Sequence, residues 1–284
     1  MNTPSRRLPQ LSQASRALTV TIPAENERGE SVPTAIAGEY PLTVYVDKRE
    51  IVTLMTLGAA PEALTIGWLR NQRLVASIDE IASVQVDWEV DAVSVTTRDG
   101  LKDADQRLGS RTVTTGCGQG TVFGDLMEEV DSIRLPDHAR FSETGLYALM
   151  DAVRRHESIY KQAGAVHGCA LARVGGEGGT AEDRDDCEIL MFFEDVGRHN
   201  AVDAIAGQMW LDGLDGGDKI FYTTGRLTSE MVIKTAQMGI PVLVSRSGLT
   251  QMGWEIARRI GLTMIGRAQG KHYLLFTGQE RFTR

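Results

Sequence analysis

From Phe141 to the C-terminus the chain alternates between short apolar runs and amphipathic ones, and this rhythm limits the architecture more than any other feature. A helix is predicted over residues 141–160: Leu146, Leu149, Met150, Val153 and Tyr160 keep one apolar stripe, and Ser142 can cap the start. Strands are predicted at 165–174, 188–193, 219–223 and 241–245, and near 263–265 and 273–276. Helices fall among them at 200–210, 228–238 and 249–260. Strand–helix alternation with short connections means a layered α/β domain, placed at residues 139–284. Residues 39–138 predict a smaller α+β domain. A β-hairpin turns there at Asp47-Lys48, a short helix opens at Pro61, and strand-like runs follow at 81–90 and 92–97. Residues 1–38 are polar, carry Pro9, Pro23 and Pro33, and read as a flexible tail.

Composition excludes several classes. Of the 284 residues 42% are hydrophobic and 24% charged, which suits an ordinary globular chain with ample core. A formal charge of −8 argues against a general nucleic-acid binder. Arg6-Arg7 is followed by no apolar export region, and no apolar run is long enough to cross a bilayer, so the expected location is the cytoplasm. The cysteines at 117, 169 and 187 lack metal-ligand spacing and form no disulfide framework, so no zinc or other metal site is expected.

Cys117 stands in Thr114-Thr115-Gly116-Cys117-Gly118-Gln119-Gly120-Thr121, where nothing bulky covers the sulfur. Glycines permit positive φ and let amide N–H groups turn toward it. Such a thiol is presented for chemistry, whereas Cys169 and Cys187 read as packing residues and His167 as a satisfied core histidine. The stretch 175–186 is acidic and reads as a solvated loop.

Three further loops each follow a predicted strand and precede a helix. They are Glu194-Asp195-Val196-Gly197-Arg198-His199-Asn200, Thr223-Thr224-Gly225-Arg226-Leu227-Thr228-Ser229 and Ser245-Arg246-Ser247-Gly248-Leu249-Thr250. If their strands run parallel, all three open on the carboxyl edge of the sheet, where α/β folds bind ligands. Arginine, glycine and hydroxyls at helix N-termini suit phosphate groups, so a large polyphosphorylated anion is expected. Asp195 does not suit phosphate but can accept from the N–H groups of guanine. A fourth basic segment, Gly266-Arg267-Ala268-Gln269-Gly270-Lys271-His272, is placed to close the same site.

These segments, with Gly164-Ala165-Val166-His167-Gly168-Cys169-Ala170-Leu171, recur in the same order in one family. The chain resembles the formate dehydrogenase accessory sulfurtransferases, the FdhD sulfur carrier family, from about Tyr40 to near the C-terminus. The resemblance implies a sulfurtransferase. A cysteine desulfurase would place a sulfane sulfur on Cys117. That sulfur would then pass to the molybdenum (or tungsten) of a bis-guanine-dinucleotide pterin cofactor destined for formate dehydrogenase. It also implies a cytidine-deaminase-like C-terminal α/β domain without the deaminase zinc, a homodimer, and cofactor contacts at Arg267, Ala268, Gln269, Gly270, Lys271 and His272. Asp195, Arg198, His199, Thr224, Gly225, Arg226, Ser245 and Arg246 complete the expected contacts, and GDP is the expected mimic. Many members carry Cys-x-x-Cys in the loop, whereas Gly120 stands at the second position here, leaving Cys117 as sole carrier. Two alternatives remain: a non-catalytic cofactor chaperone with Cys117 as metal ligand, and a nucleotide deaminase, against which the missing Pro-Cys-x-x-Cys signature weighs.

Overall fold

The computed structural model of the chain describes residues 6–101, 130–156, 158–174 and 187–284. In chain order its elements begin with β1 (Gln10–Leu11), β2 (Thr19–Glu25), β3 (Ser31–Ala37), β4 (Tyr40–Val46), β5 (Arg49–Thr56), α1 (Pro61–Asn71), β6 (Ile81–Asp87) and β7 (Ala92–Thr97). Next come β8 (Phe141–Ser142), α2 (Glu143–Arg155), α3 (Ile159–Ala163), β9 (His167–Val174), β10 (Cys187–Asp195), α4 (Arg198–Asp212) and β11 (Ile220–Thr223). The chain closes with α5 (Ser229–Gln237), β12 (Val242–Ser245), α6 (Gln251–Ile260), β13 (Thr263–Gln269), β14 (His272–Thr277) and β15 (Phe282–Thr283). Cys117 and the acidic stretch 175–186 lie outside the described residues.

Contacts divide the chain into two units, neither continuous in sequence. The first holds Met1–Val122, Ser158–Val166 and Glu194–Gly213; the second holds Phe123–Glu157, His167–Phe193 and Leu214–Arg284. This differs from the expected boundary at residue 138, and the reason lies in α4. A Cβ on Gly67 would stand 1.7 Å from the Asp203 carbonyl oxygen, and one on Gly207 would stand 1.9 Å from that of Ala63. Only glycine lets the backbones of α1 and α4 come so close. Arg70 Nη1 then donates to the Ala206 carbonyl at 2.7 Å, and Asn71 Nδ2 to Asp203 Oδ1 at 2.6 Å. Strand–helix rhythm locates α4 but cannot reveal that its partner is α1.

The first unit's sheet runs β1-β6-β7-β4-β5. Asp47 and Lys48 both take left-handed φ (47° and 70°), the two-residue turn whose twist suits a hairpin. Asp47 is held there by Thr97, which donates N–H at 2.9 Å and Oγ1–H at 2.6 Å.

The expected flexible tail is instead built. β2 and β3 form an antiparallel ribbon in which Pro23 faces Pro33. Asn26 N–H donates to the Glu30 carbonyl and Gly38 N–H to that of Leu18, which sets the ladder bonds on even-numbered residues. Both prolines therefore occupy wide pairs, where no amide is needed, and a residue type read as a breaker breaks nothing. Arg16 pins the lead-in to the unit: its guanidinium lies 3.4 Å from the Tyr40 ring centroid and 3.0 Å from Asp91 Oδ1.

The second unit's sheet runs β10-β9-β11-β12-β13-β14. β11, β12 and β13 are parallel; β9 runs against β11, and β14 against β13. The result is a mixed α/β layer. One face packs Ala170, Ala172, Ile220, Tyr222, Val242 and Val244 against Leu146 and Leu149 of α2. Ser142 caps α2 as expected, accepting from Gly145 N–H at 3.0 Å. The predicted helix at 141–160 is nevertheless two helices. α2 stops at His156, whose ψ of 132° is extended. α3 starts afresh under Ser158, whose Oγ accepts from Lys161 N–H at 3.3 Å.

Candidate functional site

The four segments singled out in sequence separate into two kinds. In the first unit, Asp195 is 5% exposed and its oxygens are filled. Oδ2 accepts from Thr56 Oγ1 (2.5 Å) and Leu57 N–H (3.1 Å), and Oδ1 from Gly197 N–H (3.1 Å) and Asn200 Nδ2 (2.8 Å). Burial pushes its carboxyl above the usual range, while these four donors pull the other way. The expectation that Asp195 reads guanine is corrected by this count: no acceptor position remains to offer. Its neighbour Glu194 caps α3, accepting from Ile159 N–H at 2.5 Å and Tyr160 N–H at 3.2 Å. Arg198 and His199, expected in an open loop, form the buried first turn of α4, 7% and 3% exposed. This segment is a joint in the fold.

In the second unit, the parallel order of β11, β12 and β13 carries their following segments to one edge. The loops are laced there by short polar contacts. Thr223 Oγ1 accepts from Gly225 N–H at 3.0 Å, Ser245 Oγ donates to the Gly225 carbonyl at 2.6 Å, and Ser247 N–H donates to Ser245 Oγ at 2.9 Å. Leu227 N–H reaches the Gly248 carbonyl, and Arg267 N–H that of Ser247, both at 2.9 Å. Ser245 is fully buried, so its hydroxyl organises the loops and is unavailable to a phosphate, contrary to expectation. Gly225 is also buried, while Thr224 is half-buried. Arg226, Arg246 and Arg267 remain, and all three side chains are exposed on this edge. Thr228 starts α5 without capping it, and its buried Oγ1 has no partner among the described residues.

Arg267 adopts φ of 52°, costly for a side chain of its size, at an irregularity where β13 slips its register against β14. The bulge turns Ala268 inward, 2% exposed, and leaves Gln269, Gly270, Lys271 and His272 exposed in the turn between the two strands. Sequence inspection overlooked Tyr222, 5% exposed beneath the Arg246 loop, and the ring pair His156–Phe192, with centroids 4.2 Å apart. Strand alternation could have found Tyr222, two residues before Thr224 on the same face. Nothing in sequence links residues 156 and 192. Among the described residues no cluster of His, Cys, Asp and Glu could hold a metal ion, and no helix is long and apolar enough to cross a membrane.

Against known proteins, the profile of the FdhD/NarQ family matches residues 37–283. The chain belongs to the FdhD/NarQ family. Among FdhD relatives it is similar to two named sulfur carrier protein FdhD. With that of Listeria innocua it shares 27% identity over 256 residues, 89% of this chain and 94% of the relative. With that of Bacillus subtilis the figures are 28% over 262 residues, 90% and 94%. Its fold is similar to the crystal structure of a formate dehydrogenase accessory protein from Desulfotalea psychrophila. The TM-score is 0.74 at 24% identity, covering 94% of this chain and all of that one. The β2–β3 ribbon ends where the FdhD/NarQ match begins.

Proposed function

We propose that the chain is a sulfur carrier that passes a persulfide sulfur through Cys117 to a guanine-dinucleotide molybdenum (or tungsten) pterin cofactor, which is its substrate. The donor in this reading is a cysteine desulfurase; the client is a formate dehydrogenase, in keeping with the name of the similar crystal structure. The observation that carries the nucleotide half is the edge bearing Arg226, Arg246 and Arg267, fixed by hydrogen bonds between the loops. Exposed guanidinium forks on a rigid frame suit phosphate oxygens, and their order is set before the ligand arrives. The second unit is read as the cofactor-binding layer, of deaminase-like kind, acting in a homodimer.

The sulfur half rests on the chemistry of the glycine-flanked thiol. The Cys117 thiolate attacks the outer sulfur of the desulfurase persulfide, the S–S bond there breaks, and the desulfurase cysteine leaves as thiolate. The thiolate, not the thiol, is the form that attacks. Incubation with a desulfurase and free cysteine, followed by mass spectrometry, tests the transfer. The wild-type chain should gain sulfur on Cys117, and Cys117→Ala should gain none while binding GDP as before. A wild-type chain that binds GDP yet never gains sulfur would be a cofactor chaperone.

A further inference from the structure

Across the carboxyl ends of the second unit's strands, one row of residues shares the sheet face that packs on α2. Tyr222 pairs with Ala170 and with Val244, all on that face, so continuing the alternation puts Gly168 of β9 next in step, with Thr224 and Arg246 one residue past the ends of β11 and β12. Gly168 and Thr224 are tied reciprocally: Gly168 N–H donates to Thr224 Oγ1 at 3.0 Å, and Thr224 N–H donates to the Gly168 carbonyl at 2.9 Å. Phe192 of β10 heads the row, its ring tip 2.9 Å from where a Cβ on Gly168 would stand. The His156 imidazole lies on that ring at 4.2 Å and 39°, and both rings are half-buried. At the far end Arg246 is exposed.

We propose that the His156–Phe192 ring pair is the platform for the flat base of the nucleotide ligand, whose phosphates run along the row to Arg246. This rests on the reading above that the second unit takes a phosphorylated guanine ligand. Three strand steps separate β10 from β12, about 14 Å at the usual strand spacing, the span of a nucleoside diphosphate laid base to phosphate. Between the two ends the floor is low, because Gly168 has no side chain and the Thr224 hydroxyl is turned to its amide. Asp195, filled by its own neighbours, leaves base recognition to another group. Aromatic faces stack on bases whatever their hydrogen-bonding edge, and half-buried rings at the head of a row that ends in an exposed arginine are suited to it.

Titration calorimetry of the full chain with GDP and with inorganic pyrophosphate tests the platform. Phe192→Leu keeps apolar volume under α2 but removes the ring, and His156→Ala removes the partner at a helix end, where folding is least at risk. Each should weaken GDP on the order of tenfold and leave pyrophosphate unchanged, since stacking is worth about 1–3 kcal/mol per base. Unchanged GDP affinity in both variants overturns the platform while the nucleotide reading stands, and so does an equal loss for both ligands. A wild-type chain that binds neither ligand overturns both.

Discussion

The loop at 194–200 and the pair of loops at 223–229 and 245–250 look alike in sequence, yet the molecule uses them in opposite ways. Each has an arginine, a glycine and polar residues where a strand gives way to a helix. In the first, every oxygen of Asp195 is taken and Arg198 and His199 are buried in a helix turn. In the second pair, hydroxyls and amides satisfy one another below while the arginines stay in solvent. Composition at a helix entry thus signals polar density, and burial decides whether that density is taken up by the fold or faces solvent.

If this contrast is right, the largest effects come from the joint's own unit. Gly67→Ala would drive a Cβ to within 1.7 Å of a carbonyl oxygen, forcing α1 and α4 apart. We expect a loss of about 4 kcal/mol or more in a urea titration, since overpacking against backbone cannot relax by a rotamer change. Asp195→Ala comes next. Four donors lose their acceptor in a buried site, at a cost of about 3 kcal/mol, with GDP affinity of the folded chain unchanged. A stable Asp195→Ala chain with weakened GDP binding would reverse the assignment of the two loops. Arg246→Ala should behave oppositely. Its melting temperature should hold, as for most exposed substitutions, while GDP binding drops by about 2 kcal/mol through loss of a charged hydrogen bond.

How much of this was legible in sequence follows the range of the interactions. Elements set by local pattern were read well: the hairpin through Asp47-Lys48, the Ser142 cap, and the run from β9 to β14 within a few residues. What needed a partner distant in the chain was not. The backbone approach at Gly67 and Gly207 joins segments some 140 residues apart, so α4's place in the first unit had no local sign. Pro23 and Pro33 taken singly look like breakers, because the ladder phase that leaves their positions without a needed amide is set by the partner strand. Asp195 looks free to bind in sequence because Thr56 and Leu57, two of its donors, lie far upstream. The arginine edge was the exception, since parallel neighbours carry like loop ends to one side.

The smallest effect we expect is the most direct check on where Arg246 points. Burial pushes the Tyr222 phenol above its ordinary value, and the Arg246 guanidinium pulls it part of the way back. A raised phenol keeps its proton in the folded chain after the unfolded chain has released it. Stability is therefore unaffected below the ordinary tyrosine range, about pH 10, and falls as pH climbs from there toward the raised value. Tyr222→Phe should flatten that alkaline decline in denaturant midpoints. Arg246→Ala should move the Tyr222 phenolate absorbance step, isolated as the difference from the matching Tyr222→Phe chain, to still higher pH, because the charge that favoured ionisation is gone. If Tyr222 titrates identically with and without Arg246, that side chain does not lie on the α2 side of the sheet. The row from Phe192 to Arg246 would then lose its cationic end, and the exposed arginines would have to hold phosphate from the opposite face.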